Sequence, residues 1–107
     1  MPNATRIADP ARGYFLGKYT GTTAAQKIGI GFKPAMIHAW NHSDGDTVWD
    51  WTKDDTANVI VTTTAVAKSA IAVAQVDDGT LLGFSLPSDA VVNENTKVYY
   101  FMAFPEA

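Results

Sequence analysis

The sequence predicts an all-β fold: an antiparallel β-sandwich or jelly roll of about eight short strands, preceded by an extended N-terminal arm. Three observations point there. Short runs rich in Val, Ile, Thr, Tyr, Phe and Trp recur at even spacing along the chain, the composition that a pleated, half-buried surface favours. Turn signals separate the runs: "TGTT" (20–23), "SDGD" (43–46), "DDGT" (77–80) and "NENT" (93–96). Glycine in such turns accepts positive φ without steric cost. Within several runs the apolar positions alternate with period two, as strands require.

Taken in order, residues 1–13 hold two prolines, two arginines and few large apolar groups. They read as an arm outside the core. Strands are expected at Tyr14–Tyr19, Ala25–Ile30, Ala35–Asn41, Thr47–Thr52, Asn58–Thr64, Ala70–Val76, Thr80–Leu86 and Lys97–Phe104. Together they make one sandwich domain over residues 14–107, a size that buries a single core without staples. The alanine-rich stretch "TTTAVAKSAIAVAQV" (62–76) is the ambiguous element. Its Ala65–Ala70 portion reads as a crossing loop or a helical turn.

The faces of the strands raise the functional question. An antiparallel sheet with one wet face shows polar residues at every second position. "PAMIHAWN" (34–41) and "KVYYFMAF" (97–104) do not. Met36, His38 and Trp40 share one face of the first, and Ile37 and Ala39 the other. In the second, Val98, Tyr100, Met102 and Phe104 oppose Tyr99, Phe101 and Ala103. In "VWDWT" (48–52), Trp49 and Trp51 lie together, opposite Val48 and Asp50. The reading is that Ile37 and Ala39 face the core, while Met36, His38, Trp40, Trp49 and Trp51 form an apolar patch at an oligomer interface. Patches of this kind mark protein contacts.

Composition narrows the remaining classes. There is no cysteine, so disulfides and thiolate metal sites are excluded. The apolar stretches break within seven or eight residues and the N-terminus lacks an apolar signal core, so neither a bilayer span nor a secretory leader is expected. The net charge of -3 is divided unevenly. Residues 1–35 carry five basic groups against Asp9, and residues 36–107 carry three lysines against ten acids. A basic front and an acidic body suit head-to-body attachment to a neighbour. No basic cluster is interleaved with aromatics, so nucleic acid is not an expected partner.

Chemistry-bearing constellations are sparse. His38 and His42, four apart on a strand, stand about 13 Å from each other, too far for one metal ion. Asp44, Asp46, Asp50, Asp54 and Asp55 lack the ligand order of a calcium-binding EF-hand loop. No serine lies in a nucleophile motif, and "GIGF" (29–32) runs into Pro34 and a strand rather than opening a phosphate-binding helix. Neither catalysis nor a cofactor is expected. Aromatic side chains beside Asp, Asn and His can bind sugars by stacking and hydrogen bonding. Trp40, Asn41, His42, Trp49 and Asp50 are the candidates for that alternative, a carbohydrate-binding module.

A resemblance bears on the role. "GKYTGTTAAQKIGIGFKPAMIHAWN" and "VDDGTLLGFSLPSDAVVNENTKVYYFMAF" resemble a pattern of small structural proteins and domains of tailed phages. That pattern has a "YTG" turn (Tyr19, Thr20, Gly21), an "I-x-I-G-F-x-P" step (Ile28, Ile30, Gly31, Phe32, Pro34) and a strand ending in Asn41. It closes with Asp78-Gly79, Val92-Asn93 and a last strand carrying Tyr99, Tyr100, Ala103 and Phe104. The likeness covers about half the chain, at its two ends. It implies a β-sandwich without enzymatic activity, clustering on a shell, often as trimers. A short chain without a fibre shaft suits a capsid decoration (cement) subunit on the virion surface; the alternative is a carbohydrate-binding receptor module of a phage tail or tail fibre. Such a subunit bridges major capsid proteins and uses an arm that orders on binding. Arg6, Ile7, Arg12 and Tyr14 are the expected arm contacts.

Overall fold

The computed structural model describes the backbone of residues 5–8 and all of residues 13–106. These form ten strands and one short helix: β1 (Thr5–Ala8), β2 (Phe15–Thr20), β3 (Gln26–Gly29), β4 (Pro34–Asn41), β5 (Val48–Thr52), β6 (Val59–Thr62), β7 (Val66–Ser69), β8 (Ala74–Asp77), β9 (Leu82–Leu86), α1 (Ala90–Asn93) and β10 (Val98–Pro105). Two antiparallel sheets result. The larger has the order β1-β2-β10-β4-β5-β6-β7 and the smaller β3-β9-β8. The all-β sandwich expected from the sequence is therefore the architecture found.

Three elements differ from expectation. The alanine-rich stretch divides into β7 and β8 around the link at residues 70–73, and β7 pairs with β6 from Val59↔Ser69 to Thr62↔Val66. Strand pairing overrides the helical preference of alanine there. The segment "AVVN" forms α1, because the Asp89 carboxylate accepts from the Val91 N–H at 2.9 Å and caps it. Part of the expected arm is also a strand: β1 pairs antiparallel with β2, from Thr5↔Lys18 to Ala8↔Leu16. Among the described residues it is thus an edge of the large sheet. Arg6 and Ile7 lie in β1, Tyr14 is half-buried just before β2, and Arg12 falls outside the described residues.

The core lies between the sheets. Phe15 and Tyr19 of β2, Ile37 and Ala39 of β4, Trp49 and Trp51 of β5, and Tyr99, Phe101 and Ala103 of β10 point inward from the large sheet. Ile28, Phe84 and Leu86 meet them from the small one. Phe84 packs edge-on against Phe101 at 5.3 Å and Tyr19 at 6.4 Å, joining the layers through the geometry aromatic pairs prefer. Tyr19 stacks on Tyr99 with ring centroids 5.0 Å apart.

The path from the small sheet back to β10 is held by buried polar groups. The Tyr19 hydroxyl donates to the Val92 carbonyl at 2.7 Å. The Tyr99 hydroxyl accepts from the Glu94 N–H at 3.1 Å and donates toward the Val91 carbonyl at 3.0 Å. Asn93 is fully buried and uses both ends of its amide. Its Oδ1 accepts from the Thr22 N–H (2.9 Å) and the Gln26 side chain (2.7 Å), while its Nδ2 donates to the carbonyls of Ala24 (2.8 Å) and Pro87 (3.1 Å). One side chain thus satisfies groups from three segments that sheet pairing leaves open. Burial, with Tyr99 alongside, pushes the Tyr19 hydroxyl well above its ordinary pKa, so it stays a neutral donor.

Part of the charge imbalance is resolved inside the fold. Lys27 pairs with Asp78 at 2.8 Å, and Lys33 lies 3.8 Å from Glu106. Two cations of the basic front are thus directed at the chain's own acidic body. No helix among the described residues is long and apolar enough to cross a membrane.

Candidate functional site

The outer face of the large sheet is the surface that core formation leaves over. Cross-strand pairing aligns its side chains in rows, because directly opposed residues share a face. One row runs Lys18, Tyr100, Trp40, Val48, Thr62, Val66 across β2, β10, β4, β5, β6 and β7. The next runs Leu16, Met102, His38, Asp50, Ile60, Lys68. A third begins with Phe104 and Met36 and ends at Thr52. Met36, Ile60 and Val66 are exposed, at 40%, 38% and 71%. Leu16, Met102, Phe104, Tyr100 and Trp40 are half-buried.

This register corrects the expected interface. Trp49 stands opposite Ala39 and Trp51 opposite Ile37, so both tryptophans share the inward face and are 0% and 1% exposed. They are core residues and cannot meet a partner. The small Ala39 makes room for the neighbouring indole, which is why bulk concentrates on β5 at this level. Met36, His38 and Trp40 do lie together on the opposite, outward face, as alternation along β4 requires.

At one end of this face the side chains are apolar throughout: Leu16, Met36, Met102 and Phe104 occupy adjoining positions on β2, β4 and β10. At the other end they are aromatic. Trp40 stacks on Tyr100 with centroids 6.0 Å apart and ring planes 23° apart. His42 packs on Tyr100 at 4.4 Å. Between the two ends, His38 Nδ1 and Asp50 Oδ1 lie 2.5 Å apart. Asp50 is therefore engaged by His38. Asn41 is buried and committed to the β4–β5 turn, its Oδ1 accepting from the Asp44 N–H at 3.1 Å. Of the five sugar candidates, Asp50 lines a smaller cavity of about 100 Å³ with Thr52, Asp55, Asn58, Val59 and Ile60, and Trp40, half-exposed, borders a wider groove.

That groove, about 190 Å³, lies on the β5 side of Trp40. Val48, Asp46, Thr47, Thr62 and Thr63 complete its walls with Asn41 and Gly45. Gly45, at φ 69°, turns the β4–β5 connection so that Asp46 and Thr47 stand beside the indole. The Thr47 hydroxyl donates to Asp46 Oδ1 at 3.1 Å. Asp46, Thr47 and Thr62 were absent from the candidates expected from sequence. Thr62 is brought in by β6 pairing with β5 at Val48, a contact that no local spacing encodes.

Among the described residues there is no group of three or more His, Asp or Glu placed to hold a metal ion. Asp44 pairs with Lys97 at 3.1 Å and Asp55 with Lys68 at 3.2 Å, so the acidic loop is drawn apart rather than converged. No protein-family model, curated protein or solved structure matches the chain.

Proposed function

We propose that this chain is a non-catalytic structural subunit of a virion, a capsid decoration protein that associates with copies of itself and with the major capsid protein. The observation that carries the reading is the outward face of the large sheet. Its core side is already closed by the small sheet, yet Leu16, Met36, Met102 and Phe104 still stand outward as an apolar field. Contiguous apolar surface of this kind marks contact with another protein.

Size decides what sort of contact. The outer face of β2, β10, β4 and β5, with 6, 8, 8 and 5 residues at about 3.3 Å rise and about 4.8 Å spacing, offers roughly 430 Å² per copy, the Trp40 end included. Paired with an equal area, that gives roughly 850 Å², below the approximately 1,000 Å² that specific interfaces clear. Self-contact alone is weak on this scale. Several copies held on a shell would gain from effective concentration, so weak lateral contacts and a shell contact reinforce one another. That is the economy of a cement protein, and it agrees with the phage structural resemblance of the sequence. Trimers are the expected form. The edge strand β1, with Arg6 and Ile7 in it, is the proposed capsid-facing element.

Electron microscopy of the particle that carries this chain tests the proposal. Regular protrusions on the head shell, one set per capsid lattice position, are expected. Density for the chain only at the tail would overturn it.

A further inference from the structure

We infer that the groove beside Trp40 is a binding site for a neutral pyranose sugar, a function beyond the structural role proposed above and independent of it. The arrangement supplies the two contacts a sugar ring needs. The first is a flat apolar wall. Tyr100 stacks against Trp40 on the β10 side, and the groove lies on the β5 side, so the indole separates the two and presents a ring face to the groove. The stacking on Tyr100 also fixes the indole in place before any ligand arrives, which lowers the ordering lost on binding. The C–H face of a pyranose is the complement of such a wall.

The second contact is a set of oxygen groups at the rim. Asp46 brings a carboxylate that accepts hydrogen bonds, and Thr47, Thr62 and Thr63 bring hydroxyls that donate or accept. Val48 forms an apolar floor between them. The volume of about 190 Å³ equals roughly six waters of bulk liquid at about 30 Å³ each. It suits one ring rather than a chain held end to end.

Charge selects among sugars. Asp46 is on the groove, Asp44 lies in the same turn, and the nearby Lys97 is engaged by Asp44 at 3.1 Å. An anionic sugar would meet uncompensated carboxylate charge, so neutral hexoses and N-acetylhexosamines are favoured over uronic and sialic acids. A single shallow ring contact implies affinity on the order of millimolar.

The test is a ¹H–¹⁵N NMR titration of the full chain with methyl mannoside, methyl galactoside, methyl N-acetylglucosaminide and, for contrast, methyl glucuronide. At least one neutral glycoside should shift the Trp40 indole N–H and the amides of Gly45, Asp46, Thr47 and Thr62, and the glucuronide should shift them less. Trp40→Ala should weaken binding about tenfold, and Trp40→Phe less, because a ring is kept. Thr62→Val, which keeps shape and removes only the hydroxyl, should weaken it several-fold and guards against a folding artefact at Trp40. If none of the neutral glycosides perturbs these residues, or shifts cluster elsewhere, or both Trp40→Ala and Thr62→Val leave the titration unchanged, the site is wrongly assigned. Self-association of the Met36 end of the sheet is read separately by sedimentation, so failure of one proposal does not imply failure of the other.

Discussion

Replacing Asn93 with alanine should be among the most damaging single changes away from the apolar core. Asn93 is 0% exposed and makes four hydrogen bonds at 2.7 to 3.1 Å. These tie the β2–β3 connection, the Gln26 side chain and the Pro87 carbonyl to the end of α1. Each hydrogen bond contributes about 0.5–1.5 kcal/mol net, and a buried group left unsatisfied costs about 1–3 kcal/mol. Water can reach some of the released partners at the part-buried rim, so the loss should come to roughly 3–5 kcal/mol rather than the full sum. Urea unfolding followed by tryptophan fluorescence is the assay, since Trp49 and Trp51 are buried and report on the core. With a slope of about 1–3 kcal/mol per molar urea, the midpoint should fall by more than about 1 M. Asn93→Asp is the control. It keeps acceptors for the Thr22 N–H and Gln26 but sets a carboxylate against the Ala24 and Pro87 carbonyls. The carboxyl would titrate above its unfolded value near 3.9. Relative to the parent, the variant should therefore be least destabilised below that value, where it can be protonated, and should lose ground as pH rises. A midpoint shift below about 0.3 M for Asn93→Ala would refute the claim that this side chain holds the segments together.

Three further outcomes follow from the same geometry. Tyr19→Phe removes the buried donor to the Val92 carbonyl while keeping the ring stack on Tyr99, and should cost about 1–3 kcal/mol in the same unfolding assay. Gly83→Ala would place a methyl 1.9 Å from the Ile28 carbonyl oxygen in the β3–β9 pair. Backbone cannot yield there cheaply, so the small sheet should open, with loss of more than about 3 kcal/mol or failure to accumulate folded protein. The carboxyls of Glu106 (held down chiefly by Lys53, then Gln75), Asp55 (by Asn58, then Lys68) and Asp78 (by Lys27, then Thr80) lie below their ordinary values. Lowered carboxyl values stabilise the fold above the unfolded-state range, so thermal stability should be level near neutrality and decline as pH falls below about 4.5. Lys53→Met should reduce the steepness of that decline, and an identical acid profile would show that the Lys53–Glu106 contact at 2.9 Å has no energetic weight.

Much of the fold is legible because strand alternation and turn chemistry are local. The turns at Gly45 and Gly79 adopt positive φ, and Asp78 accepts from the Thr80 and Leu81 N–H groups at 3.1 and 3.0 Å, so "SDGD" and "DDGT" can be read directly. What alternation cannot reveal is which face is inward. Trp49 and Trp51 visibly share a face, but only the register of β5 on Ile37 and Ala39 turns them to the core. The same limit hides the groove, because Thr62 meets Trp40 across Val48 through two strand pairings. Helix α1 is four residues long and is held by the adjacent Asp89 cap and by hydroxyls from β10 and β2, the second of them 73 residues away in sequence. Asn93 looks like a turn residue for the same reason. Apart from the Asp89 cap, a single apolar turn ending in asparagine carries little local signature.

The outward apolar face is the central matter, and sedimentation velocity over a wide concentration range addresses it most directly. The parent chain should sediment as an oligomer that dissociates on dilution. Met36→Lys combined with Met102→Gln, both outside the core, should sediment as a monomer with an unaltered urea midpoint. A parent chain that stays monomeric at millimolar concentration would contradict the assignment of this face to contact between copies.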